Sequence, residues 1–126
     1  MDSRAFTRVA TQHEALVTDE RYIVHHGQLR DVSLQGVFIG GVTLAQGSVV
    51  TVVIELSPDA RISAQGRVVR STPEGVGIVL ELLDSSDSSE HLRRLVLFNT
   101  RSEPQTKQVV GELESHIGLK AVPPPA

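Results

Sequence analysis

The sequence predicts a mainly β protein: a six-stranded antiparallel β-barrel followed by one or two C-terminal α-helices. Three observations carry this. Between residues 8 and 82 the chain is a series of short segments rich in Val, Ile and Thr that alternate with polar residues, the pattern of half-buried strands. Clusters of Gly, Pro, Asp and Ser divide those segments at close intervals, as turns do. Beyond residue 83 the apolar spacing lengthens from two residues to that of a helix. In so short a chain, six strands favour closure, because a barrel leaves no strand edge exposed.

Taken in order, "RVATQHEALV" (8–17) is a first strand with a mixed face and "DER" (19–21) its turn. "YIVHHGQLRDV" (22–32) is a second strand, with a bulge expected at Gly27. After "SLQG" comes the short strand "VFIG" (37–40), and "LAQGS" (44–48) turns the chain into "VVTVVIEL" (49–56), the strongest strand signal. "SPDA" (57–60) leads to "RISAQGRVVRS" (61–71), and "TPEG" (72–75) to "VGIVLEL" (76–82).

"DSSDSSEHLRRLVLFNTR" (84–101) opens with acids and serines and continues with Leu92, Leu95 and Val96 at helical spacing, Phe98 being a further member of the stripe. Asp87 and Glu90, three apart, resemble a capping box with Asp in place of Ser or Thr. "EPQTKQVVGELESHIG" (103–118) is a second helix with Pro104 in its first turn, Gly118 at its end and a stripe of Val109, Leu113 and Ile117. Gly111 works against it. No internal repeat is present.

A chain of 126 residues with 40% hydrophobic residues is one domain with one core. It has no cysteine, which removes disulfides, thiolate metal sites and cysteine nucleophiles, and fits a reducing cytoplasm. No stretch approaches the roughly 20 apolar residues of a membrane span, and the N-terminus lacks the apolar run of a signal peptide. A cytoplasmic protein without membrane insertion is expected. A net charge of −3 argues against a general DNA or RNA binder. Aromatics make up 3% of the chain, so base-stacking platforms are poorly supplied. A small anion held by a few local arginines stays open.

Two stretches invite that reading. "DSRAFTRV" (2–9) places Arg4 and Arg8 four residues apart just ahead of the first strand. "RDVSLQGVFIG" (30–40) places Asp31, Ser33 and Gly36 at D-x-S-x-x-G spacing between two strands. Alternation puts Asp31 and Ser33 on one face, and Gly36 allows a sharp turn or a close ligand approach. Alone, the second stretch is explained by side chains that hydrogen-bond a turn.

Together, R-x-x-x-R at Arg4 and Arg8 and D-x-S-x-x-G at Asp31, Ser33 and Gly36 resemble the PilZ domain family. The resemblance spans roughly residues 3–100. It takes in the strand order, "GIVLEL" (77–82) where the family often has Gly-Ile-x-Phe, and "SEHLRRLV" (89–96), similar to the helical extension of short stand-alone members. Leu80 in the place of that Phe is a core variation. The resemblance implies a β-barrel that binds the bacterial second messenger cyclic di-GMP. It assigns phosphate and guanine to Arg4 and Arg8, the guanine N1 and N2 donors to the Asp31 carboxylate, a hydroxyl contact to Ser33, and space to Gly36.

The chemistry suits these residue types, because the arginine fork matches both phosphate oxygens and the guanine O6/N7 edge. Half of the implied site precedes the first strand, so binding is expected to fold that segment over the ligand. The implied organisation is a flexible N-terminal ligand-binding segment (1–8), a PilZ-like barrel with its following helix (8–100), a C-terminal helix (101–119) and a disordered Pro-rich tail (120–126). Ser3 stands where many members carry another basic residue. Members with that residue tend to take an intercalated pair of nucleotides and others one, so the number stays open.

The function implied is a receptor that passes its state to a protein partner, with no cofactor besides the ligand. A PilZ-like adaptor with weak or no nucleotide binding is the alternative, and an unrelated barrel binding an oligonucleotide is disfavoured by charge and aromatic content. His25 and His26 are adjacent and point to opposite faces, so no metal site is expected. "HLRRL" (91–95) reads as a solvated helix face, with a second anionic contact as its alternative, and Arg67 and Arg70 as surface charges on the fifth strand, with lining of the ligand rim as theirs. No Ser-His-Asp order, Gly-rich phosphate loop or catalytic acid pair appears, so no enzyme is expected.

Overall fold

A computed structural model describes residues 6–115. Six strands, β1 (Val9–Thr18), β2 (Val24–Val32), β3 (Gly36–Gly40), β4 (Val49–Ser57), β5 (Ala60–Thr72) and β6 (Gly75–Leu83), precede two helices, α1 (Ser86–Phe98) and α2 (Glu103–Ser115). The strands close into an antiparallel barrel in the order β1-β2-β3-β6-β5-β4. Alternation decides what fills it. Val50, Val52 and Ile54 of β4 meet Ile62, Ala64 and Val68 of β5, Val37 and Ile39 of β3, and Val76, Ile78 and Leu80 of β6, all buried. Each such Val, Leu or Ile contributes about 1.5–3 kcal/mol by leaving water, and this sum holds the barrel against its ordering entropy.

The pairing register shifts at five places among the described residues, and three of these bulges reset the burial alternation. Leu29 pairs with Ile39 and Asp31 with Phe38, so Arg30 is an extra residue in β2. Val68 pairs with Ile78 and Arg70 with Gly77, which leaves Val69 extra in β5. Glu81 is likewise extra in β6, between the pairs Gly66–Leu80 and Gln65–Leu82. In consequence Leu29 and Val32, three residues apart, are both buried, as are Leu80 and Leu83. Gly27 is not bulged: it pairs with Ala15 in unbroken register. A Cβ there would lie 2.6 Å from the Gly40 carbonyl oxygen and 2.7 Å from methyls of Ile39 and Val42, so glycine is needed for close packing.

The first helix is capped by Ser85 rather than Asp87: Ser85 Oγ accepts from the Ser88 N–H at 3.2 Å. Ser88 explains the earlier start. Its buried hydroxyl donates to Asp84 Oδ1 at 2.7 Å and accepts from the Ser63 N–H at 3.0 Å, tying the first turn to β5. Leu92, Leu95 and Val96 seal the core, whereas Phe98 is 75% exposed. Two residues beyond Val96, it sits on another side of the helix. In α2, Val109 is fully buried and Leu113 packs against the core, so the stripe is docked. Ile117, Gly118 and residues 120–126 lie outside the described residues.

Candidate functional site

The chain enters the site under restraint from α2. Phe6 is half-buried against the core. The Thr7 N–H lies 3.1 Å from each carboxylate oxygen of Glu112, and Thr7 Oγ1 donates to Oε2 at 2.6 Å. Arg8, the next residue, reaches across to β2. Its Nε donates to Asp31 Oδ1 at 2.7 Å, and Nη2 lies 2.7 Å from the same oxygen. Asp31 Oδ2 has no partner among the described residues. The bulge at Arg30 makes this possible, since without it Asp31 would share the inward phase of Leu29.

Ser33 departs from the alternation expected of it. Strand β2 ends at Val32, and Ser33 turns inward to 3% exposure while the Asp31 side chain is 34% exposed. The two do not share a face. Ser33 Oγ accepts from the N–H groups of Gln35 (3.2 Å) and Gly36 (3.1 Å), and the Ser33 N–H donates to the Gly36 carbonyl at 2.8 Å. The hydroxyl therefore shapes the turn from which Gly36 departs. A Cβ on Gly36 would lie 3.1 Å from the Ile78 carbonyl oxygen and 3.6 Å from Arg8 Nη1, so its absence leaves room beside the guanidinium. Arg8, Asp31 and Gly36 thus surround one exposed spot with Ser33 beneath it. Arg4 lies outside the described residues.

Electrostatically the spot is poised for an anion. The Arg8–Asp31 pair is exposed (47% and 34%), and a pair of that kind is worth only about 0–1 kcal/mol in water. A ligand that offers a phosphate to Arg8 and hydrogen-bond donors to Asp31 replaces it at little cost. Beyond β1 the wall opens into a cavity of about 560 Å³ lined by His13, Arg30, Asn99 and Arg101 among others.

The other candidates have ordinary partners. Arg67 pairs with Glu81 at 3.3 Å and Arg94 with Glu90 one helical turn away at 3.0 Å. His25 Nε2 lies 2.9 Å from Asp19 Oδ2, and among the described residues no group of three potential metal ligands occurs. Arg70 is different: its Cζ stands 5.2 Å from the centre of the Phe38 ring, next to Asp31 in register. One feature escaped sequence reading: Glu112 carried no local signal of its contact with Thr7. Of Arg67 and Arg70, the two fifth-strand arginines open to lining the rim, the structure pairs Arg67 with Glu81 and sets Arg70 against Phe38.

A closed six-stranded antiparallel barrel with Arg8 ahead of its first strand and a polar turn leaving its second defines the class of domain. The PilZ domain profile matches residues 2–98, and the chain belongs to the PilZ domain family. Among solved structures it is similar to the PilZ domain of CeSA from a cellulose-synthesizing bacterium. The identity is 18% and the TM-score 0.56, over 73% of this chain and 96% of that one. It is also similar to the inhibitor of motility MotI/DgrA of Bacillus subtilis, at 14% identity and a TM-score of 0.54, over 92% of this chain and 54% of that one. At these identities the likeness is one of fold. No curated protein matches the chain.

Proposed function

We propose that the protein is a bacterial cyclic di-GMP receptor that binds the nucleotide through Arg4, Arg8, Asp31, Ser33 and Gly36 and passes the signal to a protein partner. Membership of the PilZ domain family supports the ligand class. The observation that carries the reading is the meeting of Arg8, Asp31 and Gly36 at one exposed spot, although 22 residues lie between the arginine and the carboxylate in sequence. Arg8 supplies a planar fork for a phosphodiester or a guanine edge. Asp31, whose Oδ2 has no partner among the described residues, offers its carboxylate to the guanine N1 and N2 donors. Ser33 holds the turn, and Gly36 leaves the space.

Transmission to a partner rests on Thr7 and Glu112, which join the ligand-side segment to α2. A calorimetric titration with cyclic di-GMP, with linear RNA and DNA dinucleotides as competitors, tests the ligand. Saturable binding that the competitors leave untouched supports the receptor; no heat at any workable concentration would leave an adaptor acting through protein contacts alone.

A further inference from the structure

The barrel register lines up four residues on its outer wall: Asp31 of β2 opposite Phe38 of β3, Phe38 opposite Gly77 of β6, and Gly77 opposite Arg70 of β5. Both ends of this row face outward because of a bulge. Arg30 resets the phase ahead of Asp31, and Val69 resets it ahead of Arg70. Bulges that re-aim side chains are over-represented next to binding sites. Between the ends the surface is flat. Phe38 is flanked by Val37 and Ile39, both fully buried, so its ring lies on the outside. Gly77 has no side chain, and a Cβ placed there would touch Arg70 Cβ at 3.4 Å, Arg70 Nε at 3.6 Å and Phe38 Cδ1 at 4.0 Å. The guanidinium of Arg70 folds back over this gap to the Phe38 ring, 5.2 Å from its centre, and among the described residues no carboxylate pairs with it. Its neighbour Arg67 has Glu81.

From this geometry we propose that Phe38 and Arg70 form a stacking shelf for a guanine base and help set specificity for a purine dinucleotide. The proposal rests on the cyclic di-GMP reading and deepens it. Neighbouring strands lie about 4.8 Å apart, so Phe38 begins one strand spacing from the carboxylate that receives the guanine edge. A base whose N1–H and N2–H donate to Asp31 Oδ2 extends over Phe38 and Gly77 towards the Arg70 plane. Aromatic rings and guanidinium planes both stack on bases. A lone arginine would suit a phosphate equally well; one whose Cζ stands 5.2 Å from an aromatic ring centre across a glycine suits a planar ligand. The few aromatics in the sequence do not preclude a platform, because one ring at the right register position is sufficient.

The test uses the full chain and four variants: Phe38→Leu, Phe38→Tyr, Arg70→Ala and Arg70→Lys. Each is titrated with cyclic di-GMP and with a cyclic dinucleotide carrying thienoguanine, a fluorescent isostere that keeps the N1–H and N2–H donors, in place of both guanines; its fluorescence reports stacking. Leucine keeps the bulk of Phe38 and Arg70 is exposed, so unfolding midpoints should hold. Expected results are an affinity about five- to thirtyfold weaker in Phe38→Leu and Arg70→Ala, a smaller loss in Arg70→Lys, and recovery to within about twofold in Phe38→Tyr. Quenching of thienoguanine should be strong in the unaltered protein and reduced in Phe38→Leu at saturation, which a merely structural role for the ring would not produce. If the unaltered protein takes no cyclic di-GMP, the receptor reading falls and the shelf with it. If it binds and both Phe38→Leu and Arg70→Ala bind within twofold with undiminished quenching, the shelf alone is overturned.

Discussion

Arg8 and Asp31 meet through a single carboxylate oxygen. Nε and Nη2 of the arginine both lie 2.7 Å from Oδ1, while Oδ2 has no partner among the described residues. Each side chain thus holds the other in place and, among the described residues, keeps a hydrogen-bonding edge without a partner. That is a pre-organised arrangement: the pair positions both groups before a ligand arrives, and an exposed pair is cheap to exchange.

Replacing Arg8 or Arg4 by alanine should weaken cyclic di-GMP binding about ten- to a hundredfold, since one charge-assisted contact is worth roughly 1.5–3 kcal/mol. Folding should hardly change, because Arg8 precedes β1 and its pair is exposed. Calorimetry combined with urea unfolding separates the two effects. Unaltered affinity in both variants would overturn the site.

Asp31→Ala should cost affinity and discrimination together. In the proposed site the carboxylate would accept from N1–H and N2–H of guanine, a pair of donors that adenine lacks on that edge, so the unaltered protein should prefer cyclic di-GMP over cyclic di-AMP while the variant loses most of that preference. Competition titrations with the two nucleotides read the ratio directly. Equal affinities in the unaltered protein would mean that Asp31 does not read guanine.

Glu112→Ala removes the acceptor for both the Thr7 N–H and the Thr7 hydroxyl. Hydrogen bonds to a charged group of this kind are worth about 1.5–3 kcal/mol. The segment at Phe6 and Thr7 and the helix α2 should both loosen, although 105 residues separate Thr7 from Glu112. Hydrogen exchange should accelerate at both ends of the chain and stay unchanged in β4 and β5. Acceleration in α2 alone would show that the contact does not restrain the N-terminal side.

Asp19 ties down the β1–β2 turn, where Tyr22 adopts φ +66° in the left-handed region. A hydrogen bond from His25 holds the Asp19 carboxyl at about 2 against an ordinary 3.8. The N–H groups of Ile23 and Arg21 and the Arg21 guanidinium help, and desolvation opposes them. The folded value is depressed, so the stabilisation is complete above pH of about 4 and is lost as pH falls towards about 2. Urea unfolding across that window should show stability declining with acid, and Asp19→Asn should flatten the decline. An equal slope in the variant would assign the acid sensitivity to other carboxyls.

Gly27→Ala should destabilise the barrel by about 1–3 kcal/mol, the usual cost of overpacking, because the added Cβ meets a carbonyl oxygen at 2.6 Å and two methyls at 2.7 Å. The urea midpoint should fall with an unchanged slope. A neutral result would mean that β3 can move away from β2 without penalty.

The sequence by itself determined the six strands to within two residues, both helices, the apolar stripe that holds Val109 and Leu113, and the residues of the two motifs, but left open whether that stripe docks on the barrel. These rest on local physics: period-two and helical patterning, turn residues, and the spacing of a few chemical groups. The tertiary structure decided the rest. Period two extended from Leu29 places Asp31 inside the barrel, and extended from Val68 it does the same to Arg70; both lie outside because pairing with β3 and β6 inserts one extra residue before each. A bulge exists only between two strands, so one strand's pattern does not announce it. Ser88 displaced the helix cap to Ser85 by bonding Ser63, 25 residues away. Glu112 is one carboxylate among 15 acids in the sequence, and becomes a partner of Thr7 only once α2 has docked on the closed barrel. Patterning along the chain decides which face is apolar, but which polar groups meet across that face is set by strand register and helix docking.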